Sequence, residues 1–259
     1  MLVAAAVCPQ TPLLVPTVAG GAAEELADVR RASIDAVTQL WRGKPDRVVV
    51  IASGAGSGAQ EGRLGGTFRR FGVELTVGGA ADSEDMTVEP CCGLLVARWL
   101  LDAALPAAAL AREGWEIGED TAPKECAGLG RELAGRSERV ALLVMADGSA
   151  RRTLKAPGYF DDRAEPFDDE IARALAAVDK KSLAAIDPTV ASDLMVAGRA
   201  PLQVLTGAAE ATEAASAGST GAGERAWHGE LLSYGAPYGV GYFVALWRIG
   251  GATVGAADA

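Results

Sequence analysis

The sequence predicts an α/β protein of one domain, with a central mostly parallel or mixed sheet, flanking helices and a C-terminal β-hairpin. An arginine, an uninterrupted apolar stretch and a small polar turn occur at residues 47–56 and again at 139–150. Uninterrupted apolar stretches are typical of parallel strands that are buried on both faces. The third observation is a pair of strand-like runs, 226–234 and 239–249, which GAPYG separates. This pattern indicates a hairpin with Pro237 confined to its turn.

The first strand and helix are predicted by periodicity. Residues 2–7 form a short apolar run that ends before Pro9 and predicts a buried strand. Residues 22–42 carry apolar side chains at helical spacing, and Glu24 and Glu25 stand in the first turn, where the helix dipole favours carboxylates. The apolar face of this helix comprises Leu26, Val29, Val37 and Leu40.

The other elements complete an alternating pattern of strands and helices, which favours helices packed on a sheet. We expect a strand at 71–77, helices at 91–104 and 124–134, a helix opened by Pro166 and Phe167, a short helix after Asp187 and a helix at 199–210. Residues 211–224 contain few bulky groups and predict a mobile loop, and residues 250–259 predict a flexible tail. No shift in composition marks a boundary, so 1–259 is predicted to be a single domain.

Composition argues against several classes of partner. The chain has 24 Lys and Arg against 34 Asp and Glu, and a formal charge of -10 repels nucleic acid. The apolar N-terminus lacks a positive region and is interrupted by Pro9 and Pro12, so it does not resemble a signal peptide. The longest apolar stretch, 91–110, contains Arg98 and Asp102 and predicts a buried helix, not a membrane span.

The cysteines and the histidine limit the chemistry. The four cysteines form no C-x-x-C pair, which indicates reduced thiols in a cytoplasmic protein, and we expect them to be small buried hydrophobes. The chain has one histidine, so a site that needs two imidazoles from one chain cannot be built. This excludes the usual histidine-rich zinc and iron sites.

The turn after the second strand has the form of a dinucleotide-binding fingerprint. Gly54, Gly56 and Ala59 fit G-x-G-x-x-A, a motif in which a pyrophosphate rests on the N-terminus of the following helix. Glycines at 62, 65 and 66 disfavour that helix by about 1 kcal/mol each relative to alanine. A flexible loop is therefore the better interpretation, and a nucleotide-binding protein that uses residues 54–59 is an alternative function.

Four segments, taken in order, resemble one family. PQTPLLVP at 9–16 resembles the P-H-P-P-L-L-x-P opening of the LigB-like class III extradiol ring-cleavage dioxygenases, and VVVIASGAG resembles their V-V-V-I-S-P-H-G strand and turn. The segment from VMADGSA to FDDEI resembles a G-D-x-S-H turn followed by A-P-x-G-Y and an F-D-x-x-I helix. GELLSYGAPYGVGYFVALW resembles the terminal hairpin of the same proteins. The resemblance spans nearly the whole chain.

The resemblance implies an iron site whose ligands are missing here. Family members hold Fe(II) with two histidines and a carboxylate and use a further histidine as acid and base. The corresponding positions in this chain are Gln10, Ala55 (or Gly54, if the turn is aligned without a shift) and Ala150. We therefore expect no metal cofactor and a degenerate family member that is inactive as a dioxygenase.

Two residues are weak candidates for a remaining metal ligand. Glu230 is the nearest candidate for the family carboxylate, although a solvated strand residue explains it equally well. His228 precedes it by two residues, so both side chains point to one face of a strand. Asp147 survives within the DGSA turn, where Asp and Ser can also cap the backbone.

Three functions remain open. The first is a pseudoenzyme whose old cleft binds a small molecule or a protein partner through Cys8, Gln10, Ser53, Asp147, Ser149, Tyr234 and Tyr238. The second is an enzyme with metal-independent chemistry, based on Cys8 or Asp147. The third is a subunit of a homo- or hetero-oligomer, since family members often work with a second chain, and the segments 54–66 and 211–224 are the predicted docking places.

Overall fold

The computed structural model describes residues 1–56, 58–62, 64–78, 89–104, 111–217 and 226–250. Its strands are β1 (Leu2–Cys8), β2 (Arg47–Gly54), β3 (Ala59–Gly62), β4 (Gly66–Thr67), β5 (Thr76–Val77), β6 (Ala111–Gly118), β7 (Val140–Met145), β8 (Trp227–Gly235) and β9 (Tyr242–Ile249). Its helices are α1 (Pro16–Ala19), α2 (Ala27–Leu40), α3 (Cys92–Ala104), α4 (Pro123–Ala134), α5 (Ala164–Ala177), α6 (Lys180–Ala184), α7 (Pro188–Asp193) and α8 (Arg199–Ala217).

The central sheet is mixed and has the strand order β3-β6-β2-β7-β1-β9-β8. Strands β6, β2, β7 and β1 run parallel to one another, whereas β3 at one edge and β9 and β8 at the other run antiparallel to their neighbours. The carboxyl ends of the four parallel strands therefore meet at one edge of the molecule. The predicted mixed α/β sheet and its C-terminal hairpin are confirmed.

Two layers of helices explain the uninterrupted apolar strands. Val49 and Ile51 of β2 face the core under α4, α5 and α8, whereas Val48 and Val50 face the core under α2 and α3. Each side chain in the middle of β2 is buried in one of these layers. The consecutive apolar residues of β2 and β7 thus follow from helices on both faces of the sheet.

Several predicted elements are confirmed within a few residues. The strands predicted at 2–7, 47–52 and 139–146 are β1, β2 and β7, and the helices predicted at 91–104 and 124–134 are α3 and α4. Asp187 caps α7 by accepting the backbone N–H groups of Thr189 and Val190. The predicted helix at 22–42 begins as a 3-10 turn over Gly20–Leu26, continues as α2 and ends in a second 3-10 turn.

Other predictions were wrong. Residues 71–77 do not form one strand: a 3-10 turn covers Arg69–Phe71, and only Thr76–Val77 pairs with β4. Residues 211–217 belong to α8, because alanine and glutamate favour helix and neither glycine nor proline interrupts them. The rest of that predicted loop, 218–225, and the tail from 251 onward lie outside the described residues.

Two strands lacked a sequence signal. The strand β6 lies next to the edge of the sheet, where only the four-residue strand β3 covers it. It therefore tolerates the charged side chains of Arg112, Glu113 and Glu116, which gave no apolar strand pattern. Part of the predicted loop at 54–66 is β3 itself. None of the helices in the described ranges is long and apolar enough to cross a membrane.

Candidate functional site

Two adjoining grooves lie at the carboxyl ends of the parallel strands. The first groove has a volume of about 900 Å³ and is lined by Ser53, Gly54, Ala55, Gly56, Arg70, Phe71, Cys91, Cys92, Glu119 and Asp120. The second groove, about 780 Å³, is lined by Glu119, Asp120, residues 188–189, 191–193 and 195–197, and Arg199. They share Glu119 and Asp120, and we call them together the cleft. Open α/β sheets bind ligands at this edge.

Gly93 allows α3 to approach the ends of β1 and β2. A β-carbon at this position would lie 2.6 Å from the Ala52 Cβ and 2.9 Å from the Gln10 Oε1. Only glycine therefore lets the first turn of α3 pack directly on β2 and on the Gln10 side chain. The Cys92 thiol, one residue earlier, donates to the Gln10 carbonyl oxygen across 3.4 Å and connects the wall of the first groove to the end of β1.

Asp147 lies between the ends of β7 and β1. Its Oδ1 accepts the backbone N–H of Gln10 at 2.9 Å, and its carbonyl oxygen accepts the N–H of Gly198 at 2.8 Å. The side chain remains partly exposed. Burial raises the pKa of its carboxyl to about 7, which the Gln10 N–H opposes only in part. Within the described part of the chain, neither lysine nor arginine forms an ion pair with Asp147.

Gln10 extends from the end of β1 toward α3. Its Oε1 is buried and accepts no hydrogen bond from the residues that the structure describes. A buried acceptor without a donor costs about 1 to 3 kcal/mol. Gln10 and Asp147 are joined through one backbone N–H and adjoin the first groove through Cys92, but neither is among the residues that line the two grooves.

The positions that correspond to iron ligands do not assemble an iron site. Ala55 is exposed in the first groove, whereas Ala150 is buried, donates its N–H to Leu194 and lines neither groove. Neither alanine offers a donor atom, and Gln10 offers only an amide. Among the residues described, no cluster of three or more His, Cys, Asp or Glu side chains is arranged to hold a metal ion. The residues present therefore do not fit the Fe(II) that the resemblance implies.

The weak metal candidates lie away from the cleft. His228 is exposed on the edge strand β8 and pairs with Arg248, which in turn lies opposite Ala4 near the amino end of β1. That position is about 13 Å along the strand from the end of β1, at about 3.3 Å per residue. Glu230 forms an exposed ion pair with Arg248 at 3.0 Å. His228 and Glu230 therefore do not lie with the other candidate residues at the carboxyl ends of the parallel strands.

Cys8 does not belong to the cleft. It is fully buried on the α2 side of the sheet, and its thiol points to the Ser33 carbonyl oxygen at 3.9 Å. Burial raises the pKa of the thiol to about 12, so the nucleophilic thiolate is not populated at neutral pH. Burial and the raised pKa of the thiol both argue against a Cys8-based mechanism.

Cys91 and Cys92 are cleft residues that sequence reasoning missed. Both line the first groove and are only partly buried, so the prediction that all four cysteines are buried hydrophobes was wrong for this pair. Burial raises the pKa values of the two thiols to about 12 and about 11. The signal in the sequence was their position at the start of a predicted helix, where side chains can face the edge of the sheet.

Ser149 and Tyr234 belong to a structural network below the cleft. Ser149 is buried and donates both its N–H and its hydroxyl to Asp168, at 2.8 and 2.7 Å. Arg152 contacts the same carboxylate at 3.3 Å and donates to the Tyr234 hydroxyl at 2.8 Å. Tyr234 in turn donates to Asp169 at 2.6 Å. Ser149 and Tyr234 therefore line neither groove, contrary to the prediction.

The remaining predicted residues have different outcomes. Ser53 lines the first groove as predicted, but its hydroxyl donates to the Ala197 carbonyl oxygen and braces the wall between the two grooves. Tyr238 lies near Glu25 and lines neither groove. The tyrosine beside Asp147 is instead Tyr242, whose backbone forms a bridge with that of Asp147. Burial, followed by the Asp147 charge, raises the pKa of Tyr242 to about 12.

The turn at 54–59 lacks the context of a dinucleotide-binding motif. Ala59–Gly62 forms the antiparallel strand β3, where the motif requires the first turn of a helix. The backbone N–H groups that would hold a pyrophosphate are therefore not provided by a helix N-terminus at this position. Nucleotide binding through this turn has no structural support.

Comparison with known proteins supports the fold. No family model matches the sequence, and no curated protein matches it. The fold is similar to the crystal structure of an uncharacterized protein from Escherichia coli K12, with a TM-score of 0.53 and 14% sequence identity. The similarity covers 95% of this chain and 99% of the other.

Proposed function

We propose that the cleft binds a small polar molecule without iron, and that the chain is a degenerate relative of the LigB-like dioxygenases. The observation that carries the proposal is the arrangement around Asp147. A carboxyl without a cationic partner and a buried amide oxygen without a donor stand at the ends of β1 and β7, beside an open groove. Ligand sites combine a concave surface with a few convergent polar groups in this way.

The ligand is expected to supply hydrogen-bond donors. Asp147 is partly exposed and accepts a single hydrogen bond from the described residues, whereas the neighbouring Gln10 Oε1 is unsatisfied and buried. Glu119 and Asp120 add negative charge to the groove, whereas its one lining arginine, Arg70, faces Glu89 at 3.8 Å. A neutral or cationic molecule with N–H or O–H groups complements these acceptors better than an anion does.

Iron chemistry is tested on the purified chain. Protein prepared without chelators and supplied with Fe(II) is analysed for its metal content and assayed for oxygen uptake with catechols. We expect neither stoichiometric iron nor ring cleavage, because the donor set for Fe(II) is missing at Gln10, Ala55 and Ala150. Bound iron with catechol cleavage would overturn the proposal, and the variant Asp147→Asn would then show whether Asp147 is a ligand.

A second candidate function is acid–base catalysis by Asp147. One observation favours it: burial brings the pKa of this carboxyl to about 7, where a side chain can both give and take a proton under neutral conditions. The test compares wild type with Asp147→Asn in incubations with a mixture of cellular metabolites. The candidate predicts compounds that wild type consumes and the variant leaves unchanged. Equal consumption by both proteins would exclude it.

The oligomeric state, a second chain as partner and the cytoplasmic location stay predictions. Large apolar side chains are exposed at the rim of the second groove, where Met195 lines the groove and the loop that carries Tyr159 and Phe160 packs beside it. The docking places predicted at 54–66 and 211–224 include β3 and the end of α8 instead of loops alone. Light scattering coupled to size-exclusion chromatography measures the oligomeric state directly.

A further inference from the structure

A second polar pocket lies at the opposite end of the sheet from the cleft. Its volume is about 300 Å³, and it stands at the amino ends of β1, β2 and β7. Its lining contains the cationic residues Arg42, Lys44 and Arg139, together with apolar groups from the ends of β1 and β9. The protein as a whole carries a charge of -10, so this concentration of positive charge is a local exception.

The cations of this pocket are not neutralised by side chains. Within the described residues, Arg42, Lys44 and Arg139 form no ion pair with a carboxylate. Arg139 donates from its Nε and Nη2 atoms to the carbonyl oxygens of Lys44 and Gly43, and these bonds fix its guanidinium without pairing it with a carboxylate. The nearby Asp46 accepts the backbone N–H of Arg139 at 2.8 Å and is not part of the lining.

The backbone at Lys44 is the second observation. Lys44 follows the 3-10 turn Trp41–Gly43 with φ 47° and ψ 58°, the left-handed conformation that glycine usually supplies at the end of a helix. A residue with a β-carbon adopts this conformation at a cost in free energy, and such strain is concentrated at functional positions. Here the strained residue contributes one of the three positive charges that line the pocket.

We propose that this basic pocket, formed by Arg42, Lys44 and Arg139, binds a small polyvalent oxyanion such as a phosphate ester or a polycarboxylate. Its volume is at the lower end of small-molecule sites, which suits a single charged group and not a long polymer. Arginine presents a planar fork that matches phosphate and carboxylate oxygens, and lysine adds a point charge. The proposal concerns a surface separate from the cleft and does not depend on the cleft's function.

Calorimetric titration with pyrophosphate and with citrate tests the proposal. We expect saturable binding that weakens as ionic strength rises, because exposed charges are screened. The ligand that binds more tightly identifies phosphate or carboxylate as the preferred group. No binding of either anion at millimolar concentration would overturn the proposal.

Variants locate the binding. Arg42→Gln and Lys44→Gln should each weaken the tighter anion about tenfold, as expected for the loss of a charge-assisted contact. Lys155→Gln, which removes an exposed lysine from a loop on the cleft side, is the matched control and should leave the affinity unchanged. If all three variants weaken binding equally, the effect reflects net charge and the pocket is not the site.

Lys44→Gly separates ligand binding from a structural role. Glycine adopts the left-handed conformation without strain, so the melting temperature should hold or rise while the affinity for the anion falls about tenfold. If Lys44 served only to stabilise the end of α2, this variant would lose stability and keep its affinity. That result would overturn the proposal.

Discussion

Two aspartates, Asp147 and Asp168, flank the turn that follows β7 and have opposite surroundings. Asp168 is fully buried, accepts the N–H and the hydroxyl of Ser149, and contacts Arg152 at 3.3 Å. Asp147 accepts one backbone N–H, has no cationic partner in the described part of the chain and stays partly exposed at the cleft. The Asp168 carboxylate is satisfied by the protein, whereas the Asp147 carboxyl can accept further hydrogen bonds from a ligand.

This difference separates a structural acid from a candidate functional acid. The network around Asp168 joins the turn after β7 to α5 and β8, because Arg152 also contacts Glu165 and the Tyr234 hydroxyl. A buried charge is costly in free energy unless it is paired. An unpaired buried charge is therefore a candidate for a functional role.

The largest effect is expected for Asp168→Ala. The change leaves the Ser149 donors and the Arg152 guanidinium without their common acceptor. Removing one partner of a buried pair costs about 3 to 5 kcal/mol in the free energy of unfolding, which denaturant unfolding measures. Glu165→Gln is the matched control, since Glu165 is exposed and contacts the same arginine, and it should change stability by less than about 1 kcal/mol. If Asp168→Ala changed the free energy of unfolding by as little as Glu165→Gln does, Asp168 would not be the structural acid that distinguishes it from Asp147.

Asp147→Asn should increase the free energy of unfolding at high pH, in contrast to the loss expected for Asp168→Ala. The carboxyl has a pKa of about 7 in the folded protein and about 3.9 when unfolded, so the folded state holds its proton more tightly. The free energy of unfolding of wild type therefore falls as pH rises from about 4 to about 7. Asparagine removes this titration, and at pH 8 we expect the variant to be more stable by about 2 to 4 kcal/mol.

Unfolding measured at intervals between pH 4 and pH 8 checks this prediction. The two proteins should have similar stability at pH 4, where the folded wild type is protonated at Asp147. A variant that is less stable than wild type at pH 8 would mean that the protein satisfies the Asp147 carboxyl, as it does that of Asp168.

A smaller effect is expected for Gly93→Ala, which alters the wall beside Asp147. The added methyl group would lie 2.6 Å from the Ala52 Cβ and would push α3 away from β2. Such overpacking costs about 1 to 3 kcal/mol. Gly128→Ala in α4 is the matched control, because the space at that helical glycine is open and alanine should be neutral or stabilising by up to about 1 kcal/mol. Equal stability of both variants would contradict the close packing at the cleft.

The smallest effects are expected on the edge strand. His228→Gln and Glu230→Gln remove exposed side chains, of which Glu230 forms only an exposed pair with Arg248. Each change should alter the free energy of unfolding by less than about 0.5 kcal/mol and leave ligand binding in the cleft unchanged. A loss of binding in either variant would show that a site at this edge had been overlooked.

The fold could be predicted from sequence because its strongest signals are local. The apolar runs of β2 and β7 and the turn between β8 and β9 are each visible in a window of about ten residues. The strand β6 was missed because its charged residues are paired by distant segments: Glu113 contacts Arg47 and Arg136, and Arg112 contacts Asp102. The helix α8 extends to Ala217, beyond the predicted end at 210, because residues 211–217 have good helix propensity although they include few bulky side chains.

The site was predicted less well for a physical reason. A turn after a strand identifies the sheet edge, and Gln10, Ser53 and Asp147 all lie at that edge. The direction of each side chain there depends on contacts from distant segments: Cys8 points to α2, and Ser149 points to Asp168. Cys91 and Cys92 enter the cleft only because α3 packs on β2.

The most direct test of a metal-free ligand site is nuclear magnetic resonance of chelator-treated protein titrated with small polar fragments. We expect fragments with N–H or O–H donors to shift the resonances of Gln10, Ser53 and Cys92 without any metal, and to lose affinity in Asp147→Asn. Resonance shifts in the cleft that require added Fe(II), or the absence of any fragment that binds there, would contradict a metal-free ligand site around Asp147.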